Sequence, residues 1–202
     1  MKREHIILLL INLAAIVGFG SVFISRQNYE FIAYVAVIIF LILLIGGSLK
    51  TVNYTTEALI GLTVWSMLHM AGGGVLLGNG RLYELILIPL SETYPIFRYD
   101  QLVHVWGFGT ATIVSFCLLE GHLKKPVGSS ISLAIVLVMA GIGFGALNEI
   151  VEFIVSISVA ESGVGGYINT SLDLCANLIG AMVALFYIKI RYLNNNQTVV
   201  ED

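Results

Sequence analysis

The sequence predicts an all-α polytopic membrane protein, a bundle of six transmembrane helices. Of the 202 residues, 57% are hydrophobic and only 11% are charged, and the mean hydropathy is +0.92. Soluble domains carry about 25% charged residues and cannot bury this much apolar surface. A helix that crosses the hydrocarbon core of a bilayer needs roughly 20 apolar residues, and six stretches of the chain approach or exceed that length.

The six stretches follow one another closely along the chain. The first comes after Lys2 and Arg3, as a signal peptide would, but its apolar run continues to Ile24 without a small-residue cleavage site, so we expect a retained helix. The fifth is longer than a span requires, which predicts a tilt, a kink near its glycines or a projection beyond the membrane. The predicted spans are residues 6–24, 31–49, 58–77, 101–119, 131–159 and 172–190.

The ten Lys and Arg residues predict the orientation. If the amino terminus is cytoplasmic, three of them, Arg26, Arg81 and Arg98, lie outside. Cytoplasmic loops are enriched in Lys and Arg, so we expect both termini inside. The seven inner cations are then Lys2, Arg3, Lys50, Lys124, Lys125, Lys189 and Arg191.

We expect one transmembrane domain made of two parts and a tail. Residues 1–50 predict an apolar helical hairpin whose two spans lack buried charges, and residues 55–190 predict a four-helix core that carries the polar residues. Residues 191–202 form a short polar tail. The net charge of −3 and the lack of a basic cluster give no sign of nucleic-acid binding. The predicted partner is therefore the lipid bilayer.

Ionisable side chains inside apolar stretches mark the candidate site. Such groups are costly in lipid and persist where they are paired, hydrated or bound to a ligand. If successive spans alternate in direction, all of them fall in the outer half of the bilayer, so one shared site is possible. The set comprises Asp100-x-x-x-His104, Glu149-x-x-Glu152 with the neighbouring Asn148, Asp173-x-x-x-Asn177, and the isolated His69.

Helical spacing supports a shared site. In the fifth span, small and polar residues from Gly141 to Ser156 recur at intervals of three and four, so they share one helix face. Small residues let membrane helices approach closely. The motifs that begin at Asp100 and Asp173 both continue to a glycine, Gly107 and Gly180, at the same spacing. This match indicates that spans three-four and five-six are related hairpins.

The donor set favours a divalent metal ion. Imidazole and carboxylate ligands suit zinc, manganese or iron better than a soft metal. Glu149 and Glu152 lie one helical turn apart and would repel each other if both were ionised, so either a cation or a shared proton must lie between them. The predicted metal ligands are His69, Asp100, His104, Glu149, Glu152 and Asp173, with Asn148 and Asn177 in support.

Three functions follow from this set. A bound metal would activate water against a lipid-type substrate, so the leading prediction is a metal-dependent hydrolase or transferase with Glu149, Glu152, His104 and Asp100 as catalytic residues. A shared proton predicts a small proton- or cation-coupled transporter instead. The third possibility is a non-catalytic protein that binds an amphiphilic ligand. The inner halves of the spans are almost free of ionisable groups, which disfavours a proton path.

Purely structural roles are the alternatives for individual residues. Asp100 and Asp173 are predicted at helix starts, where a carboxylate stabilises free backbone N–H groups. Glu149 and Glu152 could belong to a buried network that ties helices together, and His69 could be a hydrogen-bonded bundle histidine. The sequence contains no zincin, serine-hydrolase or phosphate-binding-loop motif.

The loop after the third span carries a further hypothesis. Residues 80–91 predict a short amphipathic helix on the outer interface, with Leu82, Leu85 and Ile86 toward lipid and Arg81 toward water. Such a helix would cover the site as a lid. An ordinary loop helix is the alternative.

The order of the three motifs, across about residues 65–184, resembles the YjdF-like inner-membrane proteins and, more distantly, the VanZ-like family associated with glycopeptide resistance. Phe153, directly after the second glutamate, fits the YjdF-like pattern, whereas residues 163–171 lack the arginine typical of VanZ-like proteins. The resemblance implies a prokaryotic envelope protein in the cytoplasmic (inner) membrane. It also implies that the family's polar positions correspond in this chain to Asp100, His104, Glu149, Glu152, Asp173 and Asn177. Neither family implies a particular activity, substrate, ion or oligomeric state.

Overall fold

The computed structural model describes residues 2–123, 130–160 and 162–193. Two of the cations used for the orientation, Lys124 and Lys125, and most of the predicted polar tail lie outside the described residues. The fold is all-α, as predicted, and each predicted span overlaps one long helix. The helices are α1 (Arg3–Ser25), α2 (Tyr29–Ser48), α3 (Thr56–Gly74), α4 (Tyr99–Glu120), α5 (Ile131–Ser158) and α6 (Tyr167–Ile188).

Five of these helices are long and apolar enough to cross a membrane, namely α1, α2, α4, α5 and α6. The protein is therefore a membrane protein with several spanning helices. The other long helix of the described residues, α3, carries Ser66, His69 and the run Gly72–Gly74, which lower its hydropathy. More of its residues are buried than in α1 or α2, so other helices rather than lipid surround much of its surface.

Side-chain caps mark where several helices begin. Asn28 accepts a hydrogen bond from the Phe31 amide at the start of α2, and Thr55 and Ser130 make the same type of contact at the starts of α3 and α5. The fifth helix runs without interruption for 28 residues, about 42 Å at 1.5 Å per residue, and so exceeds the roughly 30 Å hydrocarbon core.

Helix α4 lies at the centre of the core and packs against α3, α5 and α6. Its contact with α6 is a backbone contact, because a Cβ atom placed on Gly180 would lie 2.2 Å from the Val105 carbonyl oxygen and one on Gly109 would lie 3.0 Å from the Gly180 oxygen. Glycine at these positions lets the two helices touch. The polar motif of α4 is thereby held beside that of α6.

Helix α6 begins earlier than predicted. It starts at Tyr167 rather than at Leu172, so Asp173 lies in the second helical turn and is fully buried. Asp173 is therefore not a helix-start residue, which removes the capping role considered for it. Asp100 does lie in the first turn, as the second residue of α4.

The first two helices pack against this core. Helix α1 contacts α3, and α2 contacts α3 and α5, through a cluster that includes Phe23, Phe31 and Met70. The two predicted spans of this hairpin contain no charged residue, but the residue directly before the second span is charged and buried. Glu30, in the first turn of α2, is only 5% exposed, because its carboxylate is paired with Arg81.

The segment between α3 and α4 differs from the prediction. Helix α3 ends at Gly74, and the chain forms an antiparallel hairpin of β1 (Leu76–Leu77) and β2 (Gly80–Arg81), followed by a 3₁₀ turn at Leu82–Glu84. The predicted end of the third span at residue 77 and the amphipathic helix at 80–91 are therefore wrong. Three successive glycines weaken the end of α3. Arg81 is paired with the buried Glu30 and is only partly exposed.

Candidate functional site

His104 lies at the centre of the polar residues and is 4% exposed. Its Nδ1 atom lies 3.0 Å from the Asn177 side-chain oxygen on α6 and 3.8 Å from Glu149 Oε1 on α5. Its Nε2 atom lies 3.6 Å from Asp100 Oδ1 and 3.9 Å from Glu152 Oε1. One imidazole on the central helix thus contacts or approaches polar groups from three helices.

Two groups of potential metal ligands share this imidazole. Asp100, His104 and Asp173 form one, and His104, Glu149 and Glu152 form the other; within each, one donor atom per residue lies within 4.8 Å of the others. The six residues of the three motifs therefore come together. We call them the His104 site: Asp100, His104, Glu149, Glu152, Asp173 and Asn177.

The two aspartates are joined by amide side chains. Asn169 Nδ2 donates to Asp100 Oδ2 at 3.1 Å and to Asp173 Oδ2 at 2.5 Å, and Gln101 Nε2 donates to Asp173 Oδ1 at 3.4 Å. Neither Asn169 nor Gln101 was among the residues predicted from the sequence. Asn169 lies one helical turn before Asp173 and Gln101 directly follows Asp100, so proximity along the chain was the available signal.

The two glutamates differ in their hydrogen bonds. Asn148 Nδ2 donates to Glu152 Oε1 at 2.7 Å. Among the described residues, Glu149 Oε1 is buried and has no hydrogen-bond partner, while the side chain is 10% exposed. A buried acceptor without a donor is costly. A cation or a proton would satisfy this oxygen. Asn177 Nδ2 is the other buried atom of the His104 site that has no hydrogen-bond partner among the described residues.

His69 lies in an aromatic cluster beside the His104 site. Its ring is stacked on Trp65 at a centroid distance of 5.5 Å and meets Phe31, Tyr34 and Tyr83. Its Nδ1 atom is hydrogen-bonded to the Tyr83 hydroxyl at 2.5 Å. Burial raises the pKa of the Tyr83 phenol well above its usual value, so the hydroxyl stays protonated. The structure does not bring His69 into either group of metal-ligand atoms.

Two cavities adjoin the site. The small cavity, of about 80 Å³, is lined by residues that include Tyr34, His69, Arg81, Arg98, Asp100 and Glu152. The large cavity, of about 220 Å³, is lined by residues that include Glu149, Glu152, Phe153, Ser156 and Tyr167. Glu152, Val164 and Gly165 line both cavities. The loop that precedes α6 thus lies against both.

One buried carboxylate fixes this loop. Glu30 Oε2 accepts a hydrogen bond from Arg81 Nη1 at 2.7 Å and another from the Gly163 amide at 2.8 Å. Arg81 also lies over the Phe31 ring, 5.6 Å from its centroid. Helix α2, the hairpin after α3 and the loop before α6 are therefore tied together at the small cavity. We did not predict this connection from the sequence.

The comparison with family models decides the family. The model of a predicted membrane protein family, DUF2238, matches residues 5–194. The chain belongs to the DUF2238 family. DUF2238 is the YjdF-like family, so that resemblance is confirmed, whereas the more distant VanZ-like resemblance stays a prediction. No curated protein and no solved structure matches this DUF2238 chain.

Proposed function

We propose that this DUF2238 protein is a metal-dependent hydrolase or transferase that acts on a lipid-type substrate. Asp100, His104, Glu149 and Glu152 would hold a divalent cation such as zinc, manganese or iron. The observation that carries the proposal is the buried Glu149 oxygen, which has no donor among the described residues and lies 3.8 Å from the His104 imidazole. A cation would satisfy it.

The surroundings of His104 fit a metal ligand. Metal-binding histidines commonly donate one ring N–H to a carbonyl or carboxylate, which fixes the tautomer and leaves the other nitrogen free for the metal. With a proton on Nδ1, His104 donates to the Asn177 side-chain oxygen at 3.0 Å. Nε2 is then unprotonated, and the carboxylate oxygens nearest to it belong to Asp100 and Glu152, at 3.6 and 3.9 Å. Glu149 joins them through the donor group that it forms with His104 and Glu152.

The charge of the site also supports a cation. Four carboxylates lie near the His104 imidazole and belong with it to the two groups of potential metal ligands. Glu149 and Glu152 come from α5, Asp100 from α4 and Asp173 from α6. Several carboxylates in a low-dielectric place cannot all be ionised without compensation. Hard and borderline metal ions prefer oxygen and imidazole ligands of this kind. When bound, such an ion would lower the pKa of a water molecule or polarise a substrate carbonyl or phosphoryl oxygen.

The large cavity supports a lipid-type substrate. It is lined by Phe153 and Tyr167, whose side chains are 62% and 87% exposed. On the same side of α5, Ile150, Ile154 and Ile157 are also exposed, a surface that contacts acyl chains when the helix spans a bilayer. A molecule in the membrane would therefore reach Glu149 and Glu152 from the side, without passing through water.

The arrangement favours chemistry on one face over transport. Toward the other end of α4, the bundle is closed by the backbone contact of Gly109 with Gly180 and by the apolar cluster of Phe116, Leu137 and Ile188. A transporter would need a polar path through this layer. In our proposal α3 also crosses the membrane, which brings the number of spans to six. Both termini are then cytoplasmic, and the site lies in the outer half of the inner membrane.

Elemental analysis tests the proposal. Protein purified in mild detergent without chelator should contain close to one equivalent of a divalent metal, and this metal should be lost in Glu149→Gln and His104→Ala. The matched controls are Glu92→Gln and His122→Ala, which change exposed residues outside the site and should keep the metal. Folded wild-type protein without bound metal, even after reconstitution with zinc, manganese or iron, would reject the mechanism.

An activity assay separates the enzyme from a non-catalytic binder. Once a lipid substrate is found, metal chemistry predicts that Glu149→Gln abolishes turnover. A protein that only binds an amphiphile keeps its function after this nearly isosteric change. Retained function in the metal-free Glu149→Gln protein would therefore favour the binder.

A further inference from the structure

Two guanidinium groups line the small cavity beside the acidic residues. They belong to Arg81 and Arg98, and Asp100 and Glu152 line the same cavity. Arg98 directly precedes α4, and its backbone N–H donates to the side chain of Gln101. The chain therefore places two permanent positive charges next to the residues proposed to hold the metal ion.

Arg98 has an unfilled hydrogen-bonding site. Its Nε atom is buried and has no acceptor among the described residues. Leaving a buried charged donor unpaired costs more than leaving a neutral one. Guanidinium groups present planar pairs of N–H donors that match the oxygens of phosphate and carboxylate groups. An anionic ligand in the small cavity would supply the missing acceptor.

Arg81 is held in place before any ligand binds. Glu30 accepts from its Nη1 atom at 2.7 Å, and the Phe31 ring lies beneath the guanidinium group. The Arg81 side chain remains 26% exposed although it is anchored. A fixed guanidinium loses little conformational entropy when it binds an oxyanion.

The sizes of the cavities indicate how a ligand would divide between them. The small cavity, at about 80 Å³, is well below the roughly 300–1,000 Å³ that holds a whole drug-sized ligand. It suits a compact headgroup. Because Glu152, Val164 and Gly165 also line the large cavity, an attached apolar chain would continue past Phe153 and Tyr167.

We infer that the ligand is a lipid with a phosphate headgroup, whose phosphate contacts Arg81 and Arg98 in the small cavity while its apolar part lies along the large cavity. The inference deepens the proposed function and rests on it for the role of the ligand as substrate. Four carboxylates line the small cavity. Glu30 is paired with Arg81, and Asp100 and Glu152 would hold the cation. Glu84 is the remaining carboxylate, so the attraction for the anion comes from Arg98, Arg81 and the bound cation together. Divalent ions are commonly shared between protein carboxylates and substrate phosphates.

Calorimetric titration of the full chain tests the inference. The probes are dihexanoyl phosphatidate, the matching dihexanoyl glycerol without phosphate, and inorganic phosphate. The variants are Arg98→Gln and Arg98→Lys, and the control is Arg26→Gln, which removes an arginine that is bonded to the Gly74 carbonyl and does not line the cavity. Metal content and unfolding temperature are measured for each protein.

The expected result is binding of phosphatidate at least about tenfold tighter than binding of the glyceride. Arg98→Gln should remove this preference with the metal retained, and Arg98→Lys should restore part of it because the charge returns without the planar pair of donors. Arg26→Gln should stay within about twofold of wild type.

Two results would overturn the inference. Equal affinity for phosphatidate and the glyceride would exclude a phosphate site, and inorganic phosphate binding as tightly as phosphatidate would exclude the lipid part. Failure of the proposed function gives a different pattern. If no metal binds but the phosphatidate preference still depends on Arg98, the phosphate site stands and the metal mechanism falls.

Discussion

His104 on α4 and Asn177 on α6 are hydrogen-bonded through Nδ1 and the amide oxygen at 3.0 Å. These residues occupy the same position in the two motifs that begin with Asp100 and Asp173. The aspartates are linked indirectly, because Asn169 donates a hydrogen bond to each of them. The repeated spacing in the sequence thus corresponds to a pairing of two helices in space. Glu149 and Glu152 of α5 complete the site beside this pair.

The pairing predicts that Asn177 controls metal affinity without being a ligand. Asn177→Ala removes the group that orients the His104 imidazole, and loss of such a partner typically weakens metal binding by about 10–100-fold. A competition titration against a zinc chelator measures the change. The control is Asn53→Ala, an exposed position in the loop before α3, which should leave the affinity unchanged. Unaltered affinity in Asn177→Ala would show that the imidazole does not depend on this hydrogen bond.

The contact between α4 and α6 predicts a stability effect. A Cβ atom on Gly180 would lie 2.2 Å from the Val105 carbonyl oxygen, so Gly180→Ala must separate the helices and should destabilise the protein by about 1–3 kcal/mol. Gly143→Ala is the matched control, since nothing lies within 4 Å of a Cβ at that position. It should be neutral or slightly stabilising. Thermal unfolding in detergent compares the two, and an equal effect of both changes would contradict the packing.

The buried Glu30 predicts a local effect on the loop before α6. Glu30→Ala removes the acceptor for both Arg81 and the Gly163 amide, so hydrogen exchange should accelerate in peptides that contain these two residues. The control is Glu57→Ala, because Glu57 is 43% exposed and lies 3.9 Å from Arg191; exposed pairs of this kind contribute about 0–1 kcal/mol. Unchanged exchange at Gly163 in Glu30→Ala would mean that other contacts hold the loop.

The sequence predicted the helices and most of the polar residues that the structure brings together, for clear physical reasons. Hydropathy alone locates spanning segments, because lipid requires about 20 apolar residues in a row. Ionisable residues stand out against that background, and this is how Asp100, His104, Glu149 and Asp173 were selected. The bounds of α6 were missed because Asn169, Thr170 and Ser171 interrupt the apolar run with polar groups, although they continue the helix.

Contacts between distant segments could not be predicted in the same way. Glu30 lies 51 residues before Arg81 and 133 residues before Gly163, and a charge at the start of a span usually faces the aqueous interface. His69 shared the depth expected for the site. The direction in which the His69 side chain points depends on how α3 is rotated against α2 and on the position of Tyr83. The spacing of residues within α3 specifies neither the rotation nor the position of Tyr83.

The central claim is that a divalent cation is bound by one imidazole and several carboxylates at the His104 site. X-ray absorption spectroscopy of the metal-loaded protein tests it most directly, because this method distinguishes histidine from oxygen ligands. We predict a single imidazole ligand, with the remaining ligands being oxygen, and an unchanged spectrum in His69→Ala. Two results would contradict this account. The first is a spectrum that shows two imidazole ligands in the wild type and a single imidazole ligand in His69→Ala. The second is a spectrum that shows no histidine ligand.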